Sequence, residues 1–142
     1  TLGISMGGTL AYLVAALRDD IAATAHLCVF ADMAPLIDDG APELHGPYMT
    51  IPGLLRDYDM SSIAGLVAPR HQLVATGGAD PLTPDGAYSP AITTLANAYR
   101  DHPDRLTIIR DMTAGHQETP DMRKAVLSFL AGRVHPAGHP PA

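Results

Sequence analysis

The sequence predicts an α/β fold, a mostly parallel sheet flanked by helices. Three observations carry this. Short apolar segments alternate along the chain with longer helix-forming ones, the pattern of parallel strands joined by helical crossovers. The 142 residues show no internal repeat and no second domain, and this length suits one domain. Apolar residues make up 46% of the chain, enough to enclose a single core, mostly of Ala, Leu, Ile and Val.

The elements follow in order. Gly8 to Leu17 is rich in good helix formers and is stopped by Arg18-Asp19-Asp20, which predicts a buried helix. Ala22 to Phe30 is short, apolar and free of Pro and Gly, as a strand buried on both faces requires. Asp32 to Pro47 contains Pro35, Gly40, Pro42, Gly46 and Pro47 and reads as loop. Ile51 to Asp57 and Met60 to Leu66 read as short helices, the second with Asp59 as N-cap. Gln72 to Thr76 is the next strand, ending at Gly77-Gly78. Pro90 to Tyr99 is predicted as a helix with Ser89 as cap and Pro90 at the tolerated first position. Leu106 to Arg110 is β-branched and compact, a third strand. Thr119-Pro120 starts a last helix running to about Ala131. From Gly132 the chain is His, Pro, Gly and Ala, and reads as a frayed tail.

Composition excludes several classes of function. The formal net charge of −6 offers no basic face for nucleic acid. No apolar run approaches the roughly 20 residues of a membrane-spanning helix. The single Cys28 allows neither an internal disulfide nor a multi-cysteine zinc site. Its setting, Leu27-Cys28-Val29-Phe30, is that of a buried structural thiol. No histidines stand at a metal-binding helical spacing, so neither a metal nor another cofactor is expected.

Three positions carry chemistry. In Gly3-Ile4-Ser5-Met6-Gly7 a serine stands between glycines and directly before a helix. A serine hydroxyl is a weak nucleophile and must be held where a base can reach it. A sharp strand-to-helix turn does this, and flanking glycines leave room for it. The alternative is an ordinary glycine-rich turn; a phosphate cradle is disfavoured by the missing Lys and the unsuitable glycine spacing. Asp80, in Thr76-Gly77-Gly78-Ala79-Asp80-Pro81, lies just past a strand's carboxyl end and could orient an imidazole. It could equally be a turn residue or helix cap. Asp85, after Pro84, looks more like a helix start. His116, in Gly115-His116, lies between the last strand and the last helix. Of seven histidines the other six are weaker candidates: His26 and His71 lie in or beside strands, His102 at a helix end, His135 and His139 in the tail, and His45 in the long loop. In parallel sheets reactive groups gather beyond the strands' carboxyl ends, and Ser5, Asp80 and His116 each stand there. Their chain order, Ser then Asp then His, is that of α/β-hydrolases.

From Thr1 to about Ala131 the chain resembles the C-terminal half of α/β-hydrolases. It is most similar to the group of dienelactone-hydrolase-like proteins, acetyl xylan esterases and prolyl-oligopeptidase-like peptidases. The residues behind this are Gly3 to Gly8, Ile51-Pro52-Gly53-Leu54-Leu55 with Asp59-Met60, Ala68-Pro69-Arg70, Gly77 to Asp80, and Gly115-His116. The resemblance implies Ser5 as nucleophile, His116 as base and then acid, and Asp80 as orienting carboxylate. The backbone N–H of Met6 would be one oxyanion-hole donor. Dienelactone hydrolases proper use a cysteine where Ser5 stands, so their own reaction is not implied.

The expected activity is hydrolysis of a carboxylic ester through an acyl-serine intermediate, with a small-molecule ester or short peptide as substrate. A prolyl-oligopeptidase-like peptidase and a non-catalytic hydrolase-fold binding protein are the alternatives. His45, Tyr48 and Met49 are candidates to line the substrate pocket, because their loop follows a strand that should end near Ser5. Only Thr1-Leu2 stand where a strand should feed the serine turn, which reads as a partial sequence of low reactivity by itself, with an unpaired apolar sheet edge.

Overall fold

The computed structural model describes residues 1–40 and 45–133. Its centre is a four-stranded parallel sheet in the sequential order β1 (Leu2–Ile4), β2 (Ala23–Leu27), β3 (His71–Gly77) and β4 (Leu106–Asp111). Helices α1 (Met6–Leu17), α3 (Met60–Gly65), α4 (Asp85–Ala98) and α5 (Pro120–Ala131) follow the strands, with the short α2 (Met33–Asp38) before α3. The α/β class and the parallel sheet are those the alternation predicts. The two central strands are the most buried: every residue of β2 and all but His71 of β3 are buried. Among the described residues no helix is long and apolar enough to cross a membrane.

The core has two parts, one on each face of the sheet. Tyr12, Phe30, Leu36, Met49, Met60, Val74 and Leu95 pack on the side of α1, α3 and α4. Leu27, Leu73, Ala75, Met122, Val126 and Phe129 pack on the side of α5. The alternation of Leu73, Val74 and Ala75 between the two sets is the two-residue period of a strand covered on both faces.

Several element boundaries differ from expectation, each for a local reason. The segment after Asp32 is not loop throughout. Pro35 sits in the first turn of α2, where its missing N–H costs nothing, and Gly40 closes that helix at φ 71. Pro35 and Gly40 thus stand at the two ends of α2, and Pro42 lies outside the described residues. The helix expected over Ile51 to Asp57 is one 3₁₀ turn, Leu54–Arg56, because Gly53 before it is left-handed at φ 80. Strand β2 stops at Leu27, three residues short of Phe30, because Cys28 turns to φ 56.

Helix α4 begins at Asp85, not at Pro90, and its N-cap is Pro84 rather than Ser89. The sequence signal at Ser89-Pro90 was outweighed by packing. Ala87, Tyr88, Ala91 and Leu95 form the buried stripe, and both Pro90 and Gly86 are exposed. Water can therefore satisfy the Gly86 carbonyl that Pro90 leaves without a donor. Helix α5 and its cap fall where expected, with Thr119 accepting from the Met122 N–H at 3.3 Å. The expected tail begins at Gly132, and from residue 134 it lies outside the described residues.

Helix α1 is buried on one side only. Met6, Leu10, Val14 and Leu17 are exposed, as are Leu2 and Ile4 of β1. Strand β1 is an edge strand of the described sheet, so its outer backbone groups meet no further strand there.

One buried group makes the core sensitive to acid. His26, at the centre of β2, is fully buried between Tyr12 and Phe30 and accepts a hydrogen bond from the Gln72 side chain at 2.9 Å. Burial pushes its pKa down from 6.5 to about 3. The unfolded chain therefore takes up the proton first as pH falls. His26 contributes full stability above pH 6.5 and withdraws it progressively towards pH 3, by an amount on the order of a few kcal/mol. A double variant, His26→Leu with Gln72→Leu, should flatten the acid limb of urea midpoint against pH between 6.5 and 4. An unchanged limb would show that other groups carry it.

Candidate active site

Ser5 sits at the join of β1 and α1 with φ 54 and ψ −127, a left-handed backbone rare for a non-glycine residue. The turn is pinned on both sides: the Ser5 N–H donates to the Leu27 carbonyl at 2.8 Å, and its own carbonyl accepts from Gly8 and Thr9. The glycines divide the steric work unevenly. A Cβ on Gly3 would lie 1.9 Å from the Gly7 carbonyl oxygen, and one on Gly8 would lie 2.8 Å from Val29. A Cβ on Gly7 would meet nothing within 4 Å. The tight turn thus needs Gly3 and Gly8, whereas the second glycine of the pentapeptide contributes only its backbone.

The carboxylate and the imidazole reach the same place by a second close approach. The end of β3 runs against the loop after β4: Gly78 N–H donates to Asp111 carbonyl at 2.7 Å, and Ala79 N–H to Ala114 carbonyl at 2.9 Å. A Cβ on Gly77 would stand 2.3 Å from the carbonyl oxygens of both Ala114 and Gly115, and one on Gly78 2.7 Å from the Met112 Cα. Asp111 accepts from the Thr113 hydroxyl and N–H, which hold its carboxyl below the usual range and shape the loop.

The outcome is a continuous chain of hydrogen bonds. His116 Nδ1–H donates to Asp80 Oδ2 at 2.9 Å, and the Ser5 hydroxyl faces His116 Nε2 at 2.9 Å. Asp80 has no exposed side-chain surface, whereas His116 is 32% exposed. The two readings of Asp80 are both realised, one on each oxygen. Oδ1 accepts from the Leu82 N–H at 2.9 Å and makes the turn, and Oδ2 faces the imidazole. The Met6 N–H is the first of α1, a position with no partner inside the helix.

Cys28, just past β2, is buried, and its thiol is pushed up to about 11 by burial and by the nearby Asp80 and Glu118 carboxylates. It stays protonated. His45 is nearly buried and its Nε2 donates to the Leu82 carbonyl at 2.8 Å, two residues from Asp80. Tyr48 is half-buried against the core on the α1 side. Met49 is buried, and its sulfur accepts from the Thr9 hydroxyl at 3.4 Å, one helical turn from Ser5. These ties of His45 and Met49 had no signal in the sequence, since both join residues far apart in the chain. Among the described residues no group of three or more His, Cys, Asp or Glu side chains is placed to hold a metal ion.

Comparisons with known proteins return a hydrolase and several esterases by name. The chain is 34% identical over 132 residues to "Putative hydrolase YtaP" of Bacillus subtilis (strain 168). It superposes on the solved structure of Methylesterase BT1017 with a TM-score of 0.65 at 27% identity, covering 92% of this chain and 28% of that one. The chain has part of the α/β-hydrolase fold. The glucuronoyl esterase catalytic domain of Hypocrea jecorina shares the fold with a TM-score of 0.68 at 21% identity, over 93% of this chain and 44% of that one. No protein-family profile matches the chain. It spans 92% of itself but 44% of the length of the Bacillus subtilis protein. The chain therefore corresponds to part of each of these relatives.

The glycine geometry gives a paired test. Gly77→Ala should cost about 1–3 kcal/mol, because backbone must move to admit the methyl group. That is a fall in Tm of roughly 5–10 °C. Gly7→Ala, with open space and a helical position, should leave Tm unchanged or raise it slightly. Thermal melts by circular dichroism check both, and equal losses in the two variants would contradict the assignment.

Proposed function

We propose that this chain carries the catalytic groups of a serine hydrolase acting on carboxylic esters. The observation that carries the reading is the unbroken hydrogen-bond chain from Asp80 through His116 to Ser5. The esterase names of similar solved structures support it.

Ser5 Oγ attacks the ester carbonyl carbon while His116 Nε2 takes its proton. Asp80 holds the imidazole in the tautomer with the proton on Nδ1 and stabilises the imidazolium. The carbonyl oxygen becomes an oxyanion, and the Met6 N–H at the positive end of α1 donates to it. Collapse breaks the ester C–O bond, and the leaving alkoxide takes the proton from His116. Water then attacks the acyl-serine with His116 again as base, releasing the acid and restoring Ser5. His45 serves the site through the acid loop, to which it is bonded, and Tyr48 and Met49 stand on the substrate-selecting side.

In the protein as its gene encodes it, a fluorophosphonate should label Ser5, with the site located by mass spectrometry. Ser5→Ala should abolish labelling and ester turnover, and His116→Ala should slow both by at least about 10³-fold. Labelling that survives Ser5→Ala in folded protein sinks the proposal. Faster turnover of aminoacyl amides than of acetyl esters would turn the reading to a peptidase.

A further inference from the structure

Asp80 lies on a short turn, Asp80 to Pro84, that leaves β3 and enters α4. Its carboxylate is fixed by the turn's own backbone. Oδ1 accepts from the Leu82 N–H at 2.9 Å, and the Asp80 carbonyl accepts from the Thr83 N–H at 3.1 Å. The direction in which Oδ2 faces His116 is therefore only as well defined as the placement of Leu82. Pro81 and Pro84 have no N–H, so the turn has few groups with which to fasten itself to the rest of the molecule.

Two side chains from remote segments reach this stretch. Arg110 of β4 pairs with Asp85, the first residue of α4, and lies over the Tyr88 ring at 4.0 Å from its centre. His45, 37 positions before Leu82, donates from Nε2 to the Leu82 carbonyl at 2.8 Å. Apart from the bond to His116, this is the turn's only hydrogen bond to a remote segment among the described residues. The other ring nitrogen, Nδ1, is buried with no partner among them, so the imidazole has Leu82 as its one tie there. The two contacts differ in what they can hold. The Asp85 side chain is 75% exposed, and an ion pair open to water is screened and contributes little. His45 is 9% exposed, so water competes little for its bond.

His45 is itself well founded. The 3₁₀ turn Pro47–Met49 follows it, and Met49 is buried with its sulfur on the Thr9 hydroxyl of α1. The segment thus spans from the helix that begins beside Ser5 to the turn that carries Asp80. We propose that His45 is a positioning residue: by holding the Leu82 carbonyl it keeps the Leu82 N–H on Asp80 Oδ1, and so keeps Oδ2 on His116. It acts through Leu82 and touches no reacting atom. This rests on Asp80 and His116 serving Ser5 as proposed above. It is a different role from lining a substrate pocket, where loss of His45 would register in KM.

The test uses the protein as its gene encodes it, with circular dichroism melts to show that each variant folds. His45→Leu should lower kcat about 10–100-fold, the scale of a misplacement of about 1 Å, with KM changed less than about twofold. His45→Gln, whose Nε2 can donate to the same carbonyl, should restore kcat to within about threefold of the original protein. His45→Asn, polar but too short to reach, should fall with His45→Leu and replaces it if that variant does not fold. Asp85→Asn, which cuts the exposed ion pair, should change neither constant. The low-field proton resonance of His116 Nδ1–H, assigned by its loss in His116→Ala, reads the Asp80 bond without turnover. It should move upfield and exchange faster with water in His45→Leu and return in His45→Gln. An unmoved resonance in a folded His45→Leu or His45→Asn protein overturns the inference. So do equal losses in the Gln and Leu variants, or a rise in KM at unchanged kcat. If neither the Leu nor the Asn variant folds, His45 serves the fold alone and the inference falls. Fluorophosphonate labelling reads Ser5 separately. Unlabelled, folded protein removes the hydrolase reading, and the His116 resonance still decides whether His45 sets the Asp80 bond.

Discussion

The close approach of two backbones at Gly77 and Gly78 is the constraint on which the site depends. Strand β3 delivers Asp80, and the loop after β4 delivers His116. The two can share a hydrogen bond only if these segments touch without side chains between them. Hydrogen bonds from Gly78 and Ala79 to Asp111 and Ala114 hold the contact, and a Cβ at Gly77 would sit inside it. The parallel register, which pairs Gly77 with Asp111, brings both strands to the same end of the sheet. Backbone geometry therefore sets the carboxylate–imidazole distance, and the side chains inherit it.

The turn at Ser5 solves the same problem with stored strain. Ser5 at φ 54 is unfavourable by itself, and the surrounding bonds to Leu27, Gly8 and Thr9 over-determine it. Gly3 passes against the Gly7 carbonyl and Gly8 against Val29, so α1 leaves the strand steeply. The serine is thereby lifted above the sheet edge, and the Met6 N–H, the first of α1, has no partner inside the helix. Cys28 repeats the left-handed turn on the neighbouring strand, and its N–H bonds Ala75 of β3. The ends of β1 and β2 are thus both turned by a non-glycine residue with positive φ.

The connection between β2 and α3 shows how local breakers can serve a larger unit. Pro35 and Gly40 read as interruptions, yet one lies in the first turn of α2 and the other ends it. Asp59 caps α3 and also accepts from the Met33 and Ala34 N–H groups of α2, while Asp32, before α2, accepts from the Ser61 N–H and hydroxyl of α3. Propensity rules see each helix alone and so find the cap of α3, but not its second duty to α2. Helix α4 is a similar case. The Ser89-Pro90 signal is a sound local start, but a buried stripe that begins at Ala87 outweighs it.

What the sequence by itself determined was the class of fold, the strands and most helices, and the three candidate positions. These rest on local patterns: apolar runs of strand length, Thr119-Pro120 as a helix start, and glycines beside Ser5, Asp80 and His116. Tertiary structure alone decided that the three side chains meet, since the 2.9 Å distances follow from strand register and from a backbone contact between remote segments. It also decided which glycines of the serine turn are sterically required, and where His45 and Met49 are anchored. Such facts depend on what lies across from a residue in space, and a chain read in one dimension holds the residues but not their neighbours.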